Sequence, residues 1–232
     1  MRIAMWSGPR NLSTAMMYSF GARNDFAVSD EPFYGAYLKA TGIIHPMQTE
    51  ILASQNLDPN AVADHCKGPF PERKKHWYQK HMCQHMINSF PLDWARSCQN
   101  IFLIRHPARV IASYAAKREE PTLEDIGFLQ QCSIFDKFGG TVIDSSDILQ
   151  NPKHLLSKLC KAIDLPFDDV MLNWPAGGHK SDGVWAKHWY GSVWKSTQFS
   201  GEDTPLPVLS DKMSELCQKA LPFYEKLRQH SL

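Results

Sequence analysis

The chain of 232 residues carries 25 Lys and Arg against 24 Asp and Glu, so its formal net charge is +1 at pH 7. This balance gives no general basic field and disfavours nucleic acid as a partner. The length suits a single large core, and no apolar run approaches the roughly 20 residues that a membrane helix requires. We therefore expect one domain over residues 1–232, no membrane segment, and any anion site to be built locally.

The first 14 residues predict a strand, a tight loop and the start of a helix. Residues 3–6 are an apolar run, Gly8 and Pro9 break it, and residues 12–17 open an amphipathic helix. The first N–H groups of a helix lack intrahelical partners, and the macrodipole adds about half a positive charge at that end. A phosphate or sulfate group binds readily to such a helix end.

This loop differs from the GxxxxGK[ST] loop of ATPases and GTPases. Counted from Gly8, Ser13 stands at the position of the second Gly and Thr14 at that of the Lys, while the cation comes earlier, at Arg10. The absence of that Lys weakens the interpretation as a nucleotide-dependent kinase of the P-loop type, which stays an alternative. A second alternative is a plain turn with an exposed Arg and no ligand.

A second segment, residues 101–114, predicts a buried strand followed by a helix. Residues 101–104 are apolar without alternation, which is typical of a parallel strand covered on both faces. Arg105 follows this run, and Pro107 suits the first turn of a helix. Ser113 comes eight residues after Arg105, about two helical turns later. A guanidinium and a hydroxyl can therefore meet over a single phosphate.

The rest of the chain alternates between predicted strands and helices. Strands are expected near 2–6, 26–30, 76–82, 100–105 and 140–144, and helices near 12–22, 32–40, 107–118, 122–137, 152–164 and 211–229. This alternation predicts an α/β fold of three layers, with a central parallel sheet of about five strands. Ligands of such sheets bind outside the carboxyl ends of the strands, where Arg10, Glu31, Lys80 and Arg105 are expected.

Together, the two segments resemble the sulfotransferases that use 3′-phosphoadenosine-5′-phosphosulfate. In that family an N-terminal loop holds the 5′-phosphosulfate, and an R-x-P-R-x-V-x-x-S pattern holds the 3′-phosphate. Residues 10–14 correspond to the loop, although Asn-Leu replaces its usual Ser-Gly, and residues 105–113 share the first Arg, the Pro, the Val and the Ser of the second pattern. The resemblance implies a P-loop-like fold, this donor, no metal, and donor contacts from Arg10, Asn11, Leu12, Ser13, Thr14, Arg105 and Ser113.

Three residues are candidates for the chemistry of sulfuryl transfer. Glu31 matches the Glu that several related enzymes place after the second strand as the base, and a half-buried carboxylate suits that role. An acid beside Pro32 can instead stabilise a helix N-terminus. Lys80 resembles the family's Lys near the sulfuryl group, and Arg10 is expected to stabilise the leaving phosphate.

His81 is an alternative base. With a two-residue period along the strand, Lys80 and His81 face opposite sides, so only one of them reaches the site, and we favour Lys80. His85 lies four residues after His81, but no nearby carboxylate completes a metal site, which disfavours a metal at this pair.

Two longer segments have weaker signals. Residues 174–207 are rich in Gly, Pro, cations and aromatics, and the resemblance implies a loop that covers the nucleotide, with Lys180 at a phosphate and Trp185 on the adenine. The alternative is a surface loop whose Trp side chains lie in the core. Residues 41–75 are expected to be an insertion on the acceptor side.

The acceptor itself, a small molecule, carbohydrate or lipid, is not encoded in any motif, and the oligomeric state is left open. The six cysteines have no metal-binding spacing, and Cys132 and Cys160 are expected to be buried thiols. With no signal peptide visible, a reducing, cytoplasmic setting is expected. The expected function is in-line sulfuryl transfer to a hydroxyl or amine. A kinase, or a non-catalytic nucleotide-binding protein on the same fold, remains an alternative.

Overall fold

The computed structural model describes residues 1–116, 121–201 and 205–232. Five strands of the described residues form one sheet, and every pair of neighbours is parallel. The order along the sheet is β2-β3-β1-β4-β5. The strands are β1 (Arg2–Ser7), β2 (Phe26–Asp30), β3 (His76–Met82), β4 (Gln99–Ile104) and β5 (Thr141–Asp144). The predicted α/β fold with a five-stranded parallel sheet is confirmed.

Helices occupy most of the connections between the strands. They are α1 (Ser13–Gly21), α2 (Tyr34–Thr41), α3 (Gln48–Ser54), α4 (Pro59–Lys67), α5 (Pro107–Ala115), α6 (Leu123–Ile126), α7 (Phe128–Phe138), α8 (Ser145–Gln150), α9 (Pro152–Ala162), α10 (Ala186–Trp189) and α11 (Asp211–Arg228). Shorter 3₁₀ turns span Pro71–Arg73, Cys83–His85, Asp93–Ser97, Asp169–Leu172 and Val193–Lys195.

The central strand shows why both faces of the sheet are covered. Side chains of a strand alternate between its two faces, and residues 3–6 of β1 are apolar and fully buried on both faces. Ala4 and Trp6 belong to one core cluster, and Ile3 and Met5 belong to another on the opposite face. Helices must therefore pack on both sides, which produces the three layers.

Element boundaries differ from the sequence prediction where glycine or a left-handed residue interrupts a helix. The helix predicted over 122–137 is broken between α6 and α7 at Gly127, whose φ is 72°. The helix predicted from residue 32 begins only at Tyr34, because residues 32–33 form a turn closed by a hydrogen bond from the Tyr34 N–H to the carbonyl oxygen of Glu31, which is itself left-handed (φ 44°). The last two residues of the helix predicted over 107–118 lie outside the described residues.

All six cysteines are free thiols, and Cys132 and Cys160 are buried as predicted. Among the described residues, every helix is too short or too polar to cross a membrane.

Candidate functional site

A cavity of about 370 Å³ opens where the strands of the sheet end. Its wall is formed by the loop after β1, the residues that follow β2 and β4, the end of β3, and a covering segment (residues 174–200) that includes α10. It brings together most of the residues that the sequence singles out: Arg10, Asn11, Leu12, Ser13, Thr14, Glu31, Lys80, Arg105 and Ser113.

The loop between β1 and α1 is tight, and part of the sheet holds it in place. Arg10 and Leu12 are left-handed, with φ of 62° and 69°. A Cβ at Gly8 would lie 2.5 Å from the carbonyl oxygen of Ile126, so only glycine fits there. The buried Asn11 side chain donates to the Leu103 carbonyl at 3.2 Å, which ties the loop to β4.

The helix that follows this loop presents its N-terminus to the cavity. Leu12 is the N-cap residue and makes no side-chain capping bond to α1. Ser13, Thr14 and Ala15, in the first turn, all line the cavity. Their N–H groups have no intrahelical acceptors, so an anion placed here would find donors and the positive end of the helix dipole.

Two arginines and a serine lie together beside this loop. Arg10 Nε donates to Ser113 Oγ at 2.9 Å, and Arg105 Nη1 donates to the Arg10 carbonyl oxygen at 2.7 Å. Burial lowers the pKa of both guanidinium groups, and for Arg105 the charges of Arg109 and Arg10 act in the same direction. Within the described ranges, neither Arg10 nor Arg105 forms an ion pair with a carboxylate. The cluster therefore has positive charge that an anion would neutralise.

The Arg10 guanidinium has a partner that the sequence analysis did not include. Arg10 is expected to stabilise the leaving phosphate, and in the structure its Nε donates to Ser113, one of the two residues expected at the 3′-phosphate. The strand-loop-helix pattern fixes the backbone of Arg10. The direction of its long side chain depends on a hydroxyl that lies 103 residues away in the sequence.

Lys80 forms the centre of a buried ionic cluster on the other side of the cavity. Its side chain is 1% exposed, and its Nζ lies 2.9 Å from Asp30 Oδ1 and 2.6 Å from Glu31 Oε1. A third contact, at 2.5 Å, joins Nζ to Tyr190 Oη. An ammonium group has three N–H donors, so this cluster uses all of them.

The charges within this cluster have opposite effects on its members. Burial alone lowers the pKa of Lys80, but the nearby charges of Asp30 and Glu31 outweigh it and raise that pKa above its ordinary value. Burial raises the pKa of Glu31, and the Asp30 charge adds to this effect although Lys80 opposes it. The ammonium therefore stays charged, and Glu31 holds a proton more readily than an exposed Glu does.

The backbone around Glu31 is fixed by its neighbours. Its N–H donates to the Lys80 carbonyl oxygen at 3.0 Å, which continues the β2–β3 pairing by one residue. The side chain of Gln55, from the segment 41–75, donates to the Glu31 carbonyl at 3.0 Å. The left-handed conformation then directs the carboxylate to Lys80 and the cavity.

His81 points away from the cavity, as the two-residue period predicts. Its ring stacks on Trp6 at 4.8 Å and lies 4.8 Å from Trp94, between β3 and the apolar layer below. Burial lowers the pKa of His81 to about 3. A neutral imidazole in the core has no path to a substrate, so His81 does not fit the role of base.

Several residues at or beside the cavity were given no role in the proposed chemistry by the sequence analysis. His85 lines the cavity between the rings of Tyr34 (4.5 Å) and Tyr37 (4.8 Å), and its Nδ1 lies 4.0 Å from Glu31 Oε2. Burial lowers the pKa of His85 well below its ordinary value, so it is neutral. Tyr190 and Asp30 complete the contacts of Lys80. Their positions follow from long-range packing, which no local spacing reveals.

Two residues expected at the nucleotide do not line the cavity. Lys180 lies on the surface and pairs with Glu72 at 2.7 Å. Trp185 is 1% exposed, because its ring is packed beneath Gly183 and its indole N–H donates to Tyr190 Oη. The large aromatic rings that residues 174–200 do contribute to the wall belong to Trp174, Trp189, Tyr190 and Phe199. Over the described ranges, no group of three or more His, Cys, Asp or Glu side chains is arranged to hold a metal.

Two curated relatives from Arabidopsis thaliana are similar to almost the whole chain. They are named branched-chain-amino-acid aminotransferase-like protein 2 and protein 1, and they are 34% and 35% identical to it over 234 residues. Each alignment covers 98% of this chain but only 41% and 42% of the relatives. The chain thus spans less than half the length of these two proteins.

Solved structures with the same fold cover the chain nearly end to end. The sulfotransferase domain from the curacin biosynthetic pathway has a TM-score of 0.54 at 17% identity, covering 94% of this chain and 96% of that one. A sulfotransferase from Alicyclobacillus acidocaldarius has a TM-score of 0.55 at 12% identity, covering 99% and 96%. The family model described as a sulfotransferase domain matches residues 1–231. The resemblance drawn from residues 10–14 and 105–113 is thereby confirmed, and the chain belongs to the sulfotransferase domain family.

Proposed function

We propose that this protein transfers a sulfuryl group from 3′-phosphoadenosine-5′-phosphosulfate to a hydroxyl or amine of an acceptor. The observation that carries the proposal is that one cavity contains three features: the Arg10–Arg105–Ser113 cluster, an uncapped helix N-terminus, and the buried carboxylate of Glu31. Among the described residues, neither arginine of the cluster pairs with a carboxylate. The arginine cluster and the helix N-terminus suit a ligand with two anionic ends. The Glu31 carboxylate suits removal of a proton beside one of those ends.

The donor is held at both of its charged ends. The N–H groups of residues 13–15 take the 5′-phosphosulfate, because they are the unpaired donors at the start of α1. The guanidinium groups of Arg105 and Arg10 take the 3′-phosphate together with the Ser113 hydroxyl, which Arg10 already contacts. Charge-assisted bonds of this type are roughly twice as strong as neutral ones, and they fix the position of the sulfur relative to the acceptor.

Glu31 acts as the general base. The acceptor oxygen or nitrogen forms a bond to sulfur while the bond from sulfur to the 5′-phosphate oxygen breaks, and the acceptor proton passes to the Glu31 carboxylate. The products are the sulfated acceptor and 3′-phosphoadenosine 5′-phosphate. The raised pKa of Glu31 brings it closer to the operating pH and makes it a stronger base than an exposed carboxylate.

Lys80 is placed to support this transfer. Before the reaction its ammonium donates to Glu31 Oε1 at 2.6 Å. When Glu31 accepts the proton, that oxygen loses its charge and the bond to Lys80 weakens. One N–H of Lys80 then becomes available to the developing charge on the sulfuryl oxygens or on the leaving phosphate.

The acceptor lies at the end of the cavity near Glu31. Tyr34, His85 and Trp189 form the wall there, and His45 reaches it from the segment 41–75 and bonds Tyr34 Oη at 2.8 Å. This contribution supports the expectation that residues 41–75 lie on the acceptor side. Aromatic rings of this kind suit a small-molecule, carbohydrate or lipid acceptor that presents a hydroxyl or amine on an apolar or planar body.

The test compares two nucleotides and then measures turnover. Thermal unfolding is followed with 3′-phosphoadenosine 5′-phosphate and, separately, with ATP and Mg²⁺. We expect stabilisation by the first, since ligands that bind only the folded state raise its stability. Stabilisation by ATP and Mg²⁺ alone would refute the proposal in favour of a P-loop kinase.

Turnover is measured with radiolabelled donor and a panel of phenols, sugars and amines, and the Glu31→Gln variant serves as the matched control. Transfer by the wild type that is lost in Glu31→Gln supports the proposal. Binding of the bisphosphate with no transfer or donor hydrolysis anywhere on the panel would indicate a non-catalytic binding protein.

A further inference from the structure

The hydroxyl of Tyr190 lies inside the ionic cluster that surrounds Lys80. Its oxygen is 2.5 Å from Lys80 Nζ and 2.8 Å from both carboxylate oxygens of Asp30. Trp185 Nε1 lies 3.1 Å away on another side, and Glu31 Oε1 lies 3.2 Å away. Through Tyr190, the covering segment therefore contacts the residues of the proposed proton transfer.

The hydrogen-bonding capacity of a phenol decides where its proton goes. A phenolic hydroxyl donates one hydrogen bond and accepts two. The ammonium of Lys80 and the indole of Trp185 are both donors, so they occupy the two acceptor positions. The proton of Tyr190 then goes to a carboxylate, and Asp30 is nearer than Glu31.

We propose that Tyr190 is a positioning residue for proton transfer to Glu31, an inference that rests on the function proposed above. By accepting one N–H of Lys80 and donating to Asp30, it holds the ammonium between the two carboxylates. Asp30 then stays paired with Lys80 throughout the reaction. Glu31 can therefore give up its hydrogen bond from Lys80 when it accepts the proton of the acceptor.

The covering segment supports the same arrangement through a second contact. The backbone N–H of Gly183 donates to Asp30 Oδ2 at 3.1 Å, so Asp30 is held by residues 183 and 190 of one segment. Trp189, next to Tyr190, lines the cavity. The wall that covers the ligand and the groups that hold Lys80 are thus neighbours in the chain.

Tyr190→Phe tests the inference, because it removes the hydroxyl and keeps the ring. Tyr78→Phe is the matched control, since Tyr78 is buried and its hydroxyl makes no hydrogen bond in the described part of the chain. We expect kcat of Tyr190→Phe to fall roughly 10- to 100-fold, the scale of a misplaced reactive group. We expect the donor KM to stay within about twofold of wild type, because the residues proposed to bind the donor are untouched.

The pH profile is the readout that a merely structural role would not move. The charge of Lys80 lowers the pKa of Glu31, and the charge of Asp30 raises it. Without the Tyr190 hydroxyl, Lys80 is held less firmly at Glu31 and Asp30 loses a hydrogen bond that partly neutralises it, so the pKa of Glu31 rises. The acid limb of kcat/KM in Tyr190→Phe should therefore move to higher pH, while the limb of Tyr78→Phe stays in place. Wild-type kcat in Tyr190→Phe, or a lower kcat with an unmoved acid limb, would overturn the inference.

A titration that needs no turnover separates this inference from the proposed function. Carboxyl carbons of glutamate labelled with ¹³C are followed by NMR, and the Glu31 signal is assigned from its absence in Glu31→Gln. A higher Glu31 pKa in Tyr190→Phe supports the inference, and an unchanged pKa refutes it, whether or not an acceptor has been found. If Tyr190→Phe fails to fold, Trp185→Phe removes the indole N–H from the same hydroxyl and is expected to shift the pKa in the same direction. No shift in that variant would also refute it.

Discussion

Replacement of Arg105 by alanine tests the proposed 3′-phosphate site most sharply. The guanidinium of Arg105 lines the cavity, and among the described residues its hydrogen-bond acceptor is the carbonyl oxygen of Arg10, at 2.7 Å. Arg105→Ala therefore removes a charged donor from the ligand and a support from the loop that carries Arg10. The loss should appear in nucleotide affinity, with a smaller effect on the stability of the free protein.

The magnitude follows from the type of contact. A hydrogen bond to a charged group contributes about 1.5–3 kcal/mol, and the bond to the Arg10 carbonyl adds the cost of a looser loop. We expect the affinity for 3′-phosphoadenosine 5′-phosphate to fall by about 2–3 kcal/mol, which is roughly 30- to 150-fold in Kd. Arg105→Lys keeps the charge but loses the planar guanidinium, so its affinity for the bisphosphate should lie between those of the wild type and Arg105→Ala.

Isothermal titration calorimetry measures this difference directly. Arg96→Ala is the matched control, because Arg96 is exposed, pairs only loosely with Asp93 at 3.5 Å, and does not line the cavity. Wild-type affinity is expected for that control. If Arg105→Ala binds the bisphosphate as tightly as wild type, Arg105 does not contact the 3′-phosphate and the donor site has been assigned wrongly.

Further expectations concern the two charged clusters. Glu31→Gln should lower kcat by about two to four orders of magnitude and leave bisphosphate affinity nearly intact in calorimetry, since the proton acceptor is lost and the donor contacts remain. In the wild type, the acid limb of the kcat/KM profile should lie at higher pH than an exposed Glu would give, because burial raises the Glu31 pKa. Lys80→Met should lower the free energy of unfolding in urea by about 3–5 kcal/mol at pH 7, because it leaves the buried carboxylates of Asp30 and Glu31 without a counter-ion. Lys180→Ala should leave bisphosphate affinity unchanged in calorimetry, because Lys180 pairs with Glu72 on the surface; a marked loss would place it at the nucleotide after all.

The local structure of residues 8–14 and 105–113 could be predicted from the sequence because it depends on local spacing. The strand-loop-helix at Gly8 to Thr14 and the eight-residue step from Arg105 to Ser113 are both short-range patterns. Parallel strands end at one edge, so the topology alone brings these segments together. The opposite facing of Lys80 and His81 followed from the strand period in the same way.

The contacts of individual side chains could not be read in advance. The partners of Lys80 include Tyr190, which is 110 residues away, and the Arg10 guanidinium meets a hydroxyl 103 residues away. Such pairs depend on how the loops return over the sheet. Trp185 illustrates the same limit, because an aromatic ring in a Gly-rich loop suits stacking on a base as well as it suits the core. In the structure the Trp185 ring packs closely against Gly183 and lies in the core.

The proposed donor site requires one nucleotide to reach from the start of α1 to Arg105 and Ser113. A crystal structure with 3′-phosphoadenosine 5′-phosphate tests this directly. We predict the 5′-phosphate at the N–H groups of residues 13–15 and the 3′-phosphate within hydrogen-bond distance of Arg105 and Ser113. A nucleotide bound with neither phosphate at Arg105, or bound outside this cavity, would contradict the account.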